Sequence, residues 1–278
     1  LSAVVISLVL CAAVIHASWN AMMKSGNDRM WWQTAFSMAA GVVGVLALPF
    51  VASPVPASWP CIAASVVIHV VYNLLLVRMY GSGEFGQTYP IARGSSPLLI
   101  ALGAFLVAGE VLTPVKIAGV VLVSGGIFAL GFQGRRVHLN AVPVALATGV
   151  SIALYSIVDG IGARLSGSPF GYSAWMFVLW AAVMGALYIF RYGAGNLVRS
   201  RRDIMHAAGG GTIALTGYAI VIWAMSVTQM GAVSALRETS VVFAALIARF
   251  FLNERLTVGR MTACLVIAAG GVLLGYSA

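Results

Sequence analysis

The pentapeptide HVVYN at 69–73 and its echo HASWN at 16–20 each set an imidazole, a ring and a carboxamide into apolar sequence. Spacing of i, i+3 and i+4 puts His16, Trp19 and Asn20 on one helical face, and His69, Tyr72 and Asn73 on another. Lipid satisfies neither an imidazole nor an amide, so both faces should turn to protein or to water. Two readings stand: a hydrogen bond between helices, worth about 0.6 kcal/mol in membranes, or two walls of a cavity. Rings with polar tips suit a site that holds an apolar body and hydrogen-bonds its polar end. A cationic amino group could rest on a Trp or Tyr face.

Other residues extend this set. Tyr155 holds the matching place in a later apolar run, one turn before Asp159. A further run offers Tyr218 and Trp223 but neither His nor Asn, so the first half of the chain supplies most of the polar ligands. Tyr89, Pro90, Arg93 and Pro97 follow Gly86 in one run. A proline inside a helix frees a carbonyl and kinks the axis, so Gly86 and Pro90 are candidate hinge positions. Arg93 and Arg237 lie about two turns into their runs, a depth at which an ionisable group is costly. Each is read either as one side of an ion pair closing a gate or as a site for a substrate carboxylate. Arg237 and Glu238 are adjacent, about 100° apart around a helix, which predicts a different partner for each. Asp159 and Glu238 are the candidate coupling or gating acids. Glu84, Glu110 and Glu254 lie at run ends and are expected to shape turns there.

The elements that position these groups are membrane helices. The 278 residues are 61% hydrophobic and 8% charged, against about 25% charged in soluble domains. The apolar runs are continuous for about twenty residues, helix length for a ~30 Å hydrocarbon layer, and lack the alternation of barrel strands. Ten runs are expected, near 2–23, 31–51, 58–80, 86–108, 114–133, 140–163, 170–192, 204–228, 230–252 and 257–277, the first read as a span and not a signal peptide. Lys24, Arg29, Arg78, Arg135, Arg136, Arg191, Arg199, Arg201, Arg202, Arg249, Arg255 and Arg260 follow odd-numbered runs; only Lys116 and Arg164 follow even-numbered ones. The positive-inside rule then places the odd connections in the cytoplasm and both termini outside. The charge of +9 is topological, and no nucleic-acid partner is expected. Cys11, Cys61 and Cys264 show no pairing or metal spacing and read as small hydrophobes.

The chain also repeats. EVLTP (110–114) resembles ERLTV (254–258), and at the same offset Arg93 meets Arg237, Ser96 meets Ser240 and Gly131 meets Gly275. Five spans per half force the halves, 1–139 and 140–278, into opposite orientations, an arrangement typical of transporters with a midplane site. Gly125-x-x-x-Ala129 and Gly271-x-x-x-Gly275 predict close helix packing in the fifth and tenth spans.

GEVLTPVKIAG (109–119) after PLLIAL (97–102), the echo NERLTVGRMTA (253–263), and the pair TYPIARGSSPLLIAL (88–102) and SALRETSVVFAALIA (234–248) resemble the drug/metabolite transporter superfamily, EamA type, and within it the bacterial aromatic amino-acid exporters. The resemblance implies an all-α integral membrane protein. Ten helices in two inverted repeats would surround a central cavity, lined by helices 1–4 and 6–9 and braced by 5 and 10. It implies an inner-membrane exporter of small metabolites, most of all amino acids with aromatic or apolar side chains, working by alternating access. Drugs, nucleosides or other metabolites are the alternative cargo. Trp19, Tyr72, Tyr89, Tyr155, Tyr218 and Trp223 would shape the pocket, with His16, His69, Asn73 and Asn20 at the polar head. No cofactor, metal or catalytic residue is expected, and a monomer suffices. Small four-helix relatives couple to protons through a glutamate in the first helix; here that helix has His16 and Asn20 and no acid.

Overall fold

Backbone amides inside lipid have no water to bond, so each apolar run closes its hydrogen bonds internally as a helix. The computed structural model describes residues 1–23, 28–81, 85–132, 139–251 and 257–276, with side chains at 18–23, 80–81, 85–87, 248 and 250–251 outside the described set. The helices are α1 (Ala3–Met23), α2 (Arg29–Ala47), α3 (Trp59–Gly81), α4 (Phe85–Ala108), α5 (Pro114–Gly131), α6 (Val142–Leu165), α7 (Pro169–Tyr192), α8 (Arg201–Val227), α9 (Met230–Glu238), α10 (Ser240–Phe251) and α11 (Val258–Gly275). Among the described residues nine stretches are long and apolar enough to cross a membrane, α9 and α10 counting as one, and α1 contributes a shorter apolar segment. Large apolar side chains such as Leu106, Val107, Phe190 and Val272 are exposed on the outer surface, where lipid is their natural contact. This is an all-α, multi-span integral membrane protein.

Helix starts follow local chemistry. Thr113 caps α5 by accepting from Lys116 N, and Thr257 caps α11 by accepting from Arg260 N, satisfying donors that the first turn leaves free. The two caps stand in equivalent places of the repeated motif. One element departs from expectation. The run 230–252 is interrupted at Thr239, whose hydroxyl and amide both bond to Leu236 O, at 2.7 and 3.2 Å. α9 therefore ends inside the span Met230–Ile247, and its last residues are Arg237 and Glu238.

α2 packs on α7 and α5 on α11, on opposite flanks; α4 and α3 pack on α6, and α1 on α8, α9 and α10. Expected close packing of α5 and α11 is present, but on a different face. A Cβ at Gly270 would lie 2.8 Å from Gly119 O, and one at Gly126 2.6 Å from Ile267 Cγ1, whereas Gly125 has nothing within 4 Å. The seam runs through Gly119, Gly126 and Gly270, not Gly125 and Ala129. Gly271 faces Thr239 and Gly275 faces Ile6. The expected Gly271 and Gly275 thus do meet neighbouring helices closely, whereas in α5 the seam uses Gly126 instead of Gly125, a one-residue change of register that rotates the face by about 100°.

Candidate binding cavity

The helices enclose a cavity with about 910 Å³ of empty space, including its opening to solvent, lined by Ala12, His16, Gln33, Phe36, Ala40, His69, Tyr72, Asn73, Leu76, Arg93, Tyr155, Phe177, Trp180, Gly211, Ala214, Leu215, Gly217, Tyr218, Val221 and Arg237. Eight sequence candidates, His16, His69, Tyr72, Asn73, Arg93, Tyr155, Tyr218 and Arg237, are thus brought together. Trp19 and Asn20 belong to α1 and Gly86 to α4, but their side chains lie outside the described set. Pro90 and Pro97 both lie inside α4. Tyr89 and Trp223 stand off the wall. Tyr89 packs beside Leu76 and Met79 with its ring 5.9 Å from the Arg93 guanidinium, and Trp223 packs in the core with α9. Both spacings were compatible with the cavity face, but each ring leans to a neighbouring groove.

One part of the wall is a cage of rings. His69 stacks on Tyr155 with centroids 4.1 Å apart. Tyr72 and Tyr218 meet Tyr155 edge-on at 5.4 and 5.8 Å. Trp180 lies 5.6 Å from His69, and Phe177 6.2 Å from Tyr218. His69 Nδ1 lies 3.0 Å from Ser65 O, one turn back on α3. That bond holds the imidazole in its stack. Phe177, Trp180 and Gln33 were not expected. Aromatic residues in an apolar helix look alike whether they face lipid or a cavity; Gln33, buried in α2, was the one polar signal available.

Another part is charged. Arg93, Arg237 and Glu238 are buried together. Arg93 Nε is 2.8 Å from Glu238 Oε2, and Arg237 Nη2 is 3.2 Å from Glu238 Oε1. Arg93 Nη2 also meets His16 Nε2 at 3.0 Å; a guanidinium only donates, so that ring nitrogen accepts. The expectation that Arg237 and Glu238 take different partners is corrected. α9 stops at Glu238, and the long arginine folds back over the helix end onto its neighbour.

Beneath the cage, wholly buried Asp159 accepts from Tyr172 Oη at 2.9 Å and Tyr218 Oη at 2.5 Å. Below it the connections after α2, α4, α6 and α8 are tied together. Val55 N donates to Ser166 O at 3.1 Å. Arg164 pairs with Glu110 and donates to Met225 O at 2.9 Å and Thr228 O at 2.7 Å. Glu110 Oε2 accepts from Met230 N at 2.8 Å, Gln229 Nε2 donates to Val111 O at 2.7 Å, and Lys116 Nζ donates to Gln229 Oε1 at 2.8 Å. Glu110 therefore does more than shape its own turn: it binds three connections. Glu84 and Glu254 lie outside the described residues. At the other end, Arg199 pairs with Asp28 at 2.6 Å on an exposed surface, and Trp31 Nε1 donates to Leu197 O at 3.1 Å. In α1 to α4 the lining residues lean toward this second end, with His16 late in α1, Gln33 and Phe36 early in α2, Asn73 and Leu76 late in α3 and Arg93 early in α4, whereas Phe177 of α7 and Tyr218 and Val221 of α8 lie nearer the tied connections.

A basket of helices around a ringed, ion-lined cavity, sealed at one end, has the form of a small-molecule carrier. Residues 139–276 match the EamA-like transporter family. This EamA-like half runs from the start of α6 to the end of α11, and the assignment is to a drug/metabolite-type membrane transporter over that part of the chain. One solved structure, described only as the crystal structure of a protein, superposes with a TM-score of 0.80 at 19% identity, covering 98% of this chain and 98% of that one. It shares the fold along the entire length. Comparison with curated proteins gives no match. Among the described residues no group of His, Cys, Asp and Glu could hold a metal ion.

Proposed function

We propose that the protein exports small metabolites across a bacterial inner membrane by alternating access, with amino acids bearing aromatic or other apolar side chains as cargo. The observation that carries this reading is the cavity in which a ring cage borders a buried ion cluster and unpartnered donors. Ring faces hold an apolar side chain, and the polar groups hold the amino-acid head. Aromatic cargo is favoured over hydrophilic cargo by the six rings of His69, Tyr72, Tyr155, Phe177, Trp180 and Tyr218.

The architecture we infer is ten spans in two inverted repeats, 1–139 and 140–278. Pairing of α2 with α7 and of α5 with α11 supports it, because those are the partners a two-fold axis in the membrane plane would exchange. The match beginning at residue 139 supports the same division. With odd connections in the cytoplasm, the cavity opens inward and the Glu110–Arg164 lock closes the outer face. Asp159, Glu238, Pro90 and Gly86 are then gating or coupling positions.

Proteoliposome counterflow tests this reading. Labelled phenylalanine should exchange against unlabelled aromatic amino acids and saturate. If no amino acid moves or competes while drugs or nucleosides do, the cargo assignment fails; unsaturable flux would mark a pore instead of a carrier.

A further inference from the structure

The arginines of the cavity outnumber their acid. Arg93 and Arg237 stand at equivalent places in the two halves and share Glu238. The position equivalent to Glu238 in the first half is Gly94, so the repeat supplies two guanidiniums and one carboxylate. One guanidinium within this cluster has no carboxylate of its own, since the other buried acid nearby, Asp159, is taken by the Tyr172 and Tyr218 hydroxyls, and an uncompensated buried charge is costly.

The unpartnered atoms point the same way. Among the described residues, the buried side-chain atoms at this wall and its ion cluster that lack a hydrogen bond are Asn73 Nδ2, Trp180 Nε1, Arg93 Nε, Arg237 Nε and Glu238 Oε2. Four are donors, and the one acceptor, Glu238 Oε2, faces Arg93 Nε. Arg93 Nε faces Glu238 at ion-pair distance without hydrogen-bond alignment. Buried donors are nearly always satisfied in folded proteins. With that ion-paired couple set aside, the unmet groups are the donors of Asn73, Trp180 and Arg237, and beside a guanidinium without its own acid they call for an acceptor-rich group of charge −1.

We propose that the cavity is a monocarboxylate site: the carboxylate of the cargo binds at Arg93 and Arg237 beside Glu238, and the Asn73 amide donates to it. This rests on the transport reading for its role but not for its chemistry. The cargo is anchored by its carboxylate, and the amino group contributes less. A dicarboxylate would overfill the charge and is rejected. A neutral or cationic aromatic finds the ring cage but leaves the guanidiniums unmet.

The test is thermal unfolding of the purified full chain in detergent, with four probes of one aromatic body: phenylalanine, 3-phenylpropionate, phenylalaninamide and phenethylamine. Phenylalanine and 3-phenylpropionate should raise the midpoint by several degrees at saturation, because a ligand that binds only the folded state stabilises it. The amide and the amine should leave it unmoved. Equal stabilisation by the amide or amine, or none by either carboxylate, overturns the inference. Arg237→Gln makes the cluster neutral and should weaken carboxylate binding more than tenfold; unchanged affinity in a folded variant also overturns it. Stabilisation by carboxylates without counterflow would sink the transport reading and leave the carboxylate site standing.

Discussion

Removing the Arg164 guanidinium should open the sealed end of the cavity. In the structure it pairs with Glu110 and donates to the carbonyls of Met225 and Thr228. In Arg164→Ala those carbonyls lose a charged donor, and Glu110, whose side chain is 9% exposed, keeps only the Met230 amide. Hydrogen bonds to charged groups contribute about 1.5–3 kcal/mol each. The Arg164 side chain is 31% exposed, so water screens and replaces part of that, and the lock as a whole is worth about 2 kcal/mol. A change of that size moves the closed-to-open ratio about 30-fold. The assay places a single cysteine at Ala232, wholly buried near the start of α9, with Cys11, Cys61 and Cys264 replaced by alanine. A membrane-impermeant maleimide added from the outer face should label it about 30-fold faster in the Arg164→Ala background. Equal labelling rates in two folded proteins would refute the reasoning, because they would show that this network does not hold the face shut.

Asp159→Ala should lower the unfolding midpoint more than Asp159→Asn, since the alanine leaves the buried Tyr172 hydroxyl with no acceptor and an orphaned buried group costs about 1–3 kcal/mol; equal midpoints would count against the tyrosine clasp. Gly270→Val should destabilise by about 1–3 kcal/mol through overpacking against Gly119 and Val123, whereas Gly125→Ala should be nearly neutral, as read by thermal unfolding in detergent. Asn73→Ala should leave the midpoint within about 1 kcal/mol of the parent, because its Nδ2 has no described partner, yet weaken cargo exchange about tenfold, the worth of one good hydrogen bond. A large loss of stability with unchanged exchange would make Asn73 a structural residue.

The helical spans could be read from the sequence because lipid imposes one rule, twenty apolar residues per crossing, and polar punctuation marks the ends. The faces of His16 and of His69, Tyr72 and Asn73 were equally legible: an imidazole or amide amid leucines and valines has few tolerable orientations. The repeat of EVLTP and ERLTV was visible, but the capping by Thr113 and Thr257 within it came only with the structure. What stayed hidden depended on three-dimensional choices that periodicity does not encode. The interruption at Thr239 needs only a local change of hydrogen bonding, and no proline or glycine announces it. Arg237 folding onto Glu238 follows from that helix end. Trp180 and Phe177 carry no mark separating a cavity ring from a lipid-facing one. The choice of Gly126 over Gly125 for the seam turns on a single residue of register.

The glycine seam between α5 and α11 bears on how the bundle can move. Two helices whose backbones touch have no side chains to re-pack, so their relative position has little give. α2 and α7 meet in the same way: a Cβ at Gly41 would lie 2.3 Å from Ala181 Cβ, and one at Gly44 2.9 Å from Ala174 O. Each pair is therefore a stiff double plank, and a change in the shape of the cavity falls to the helices packed through larger side chains.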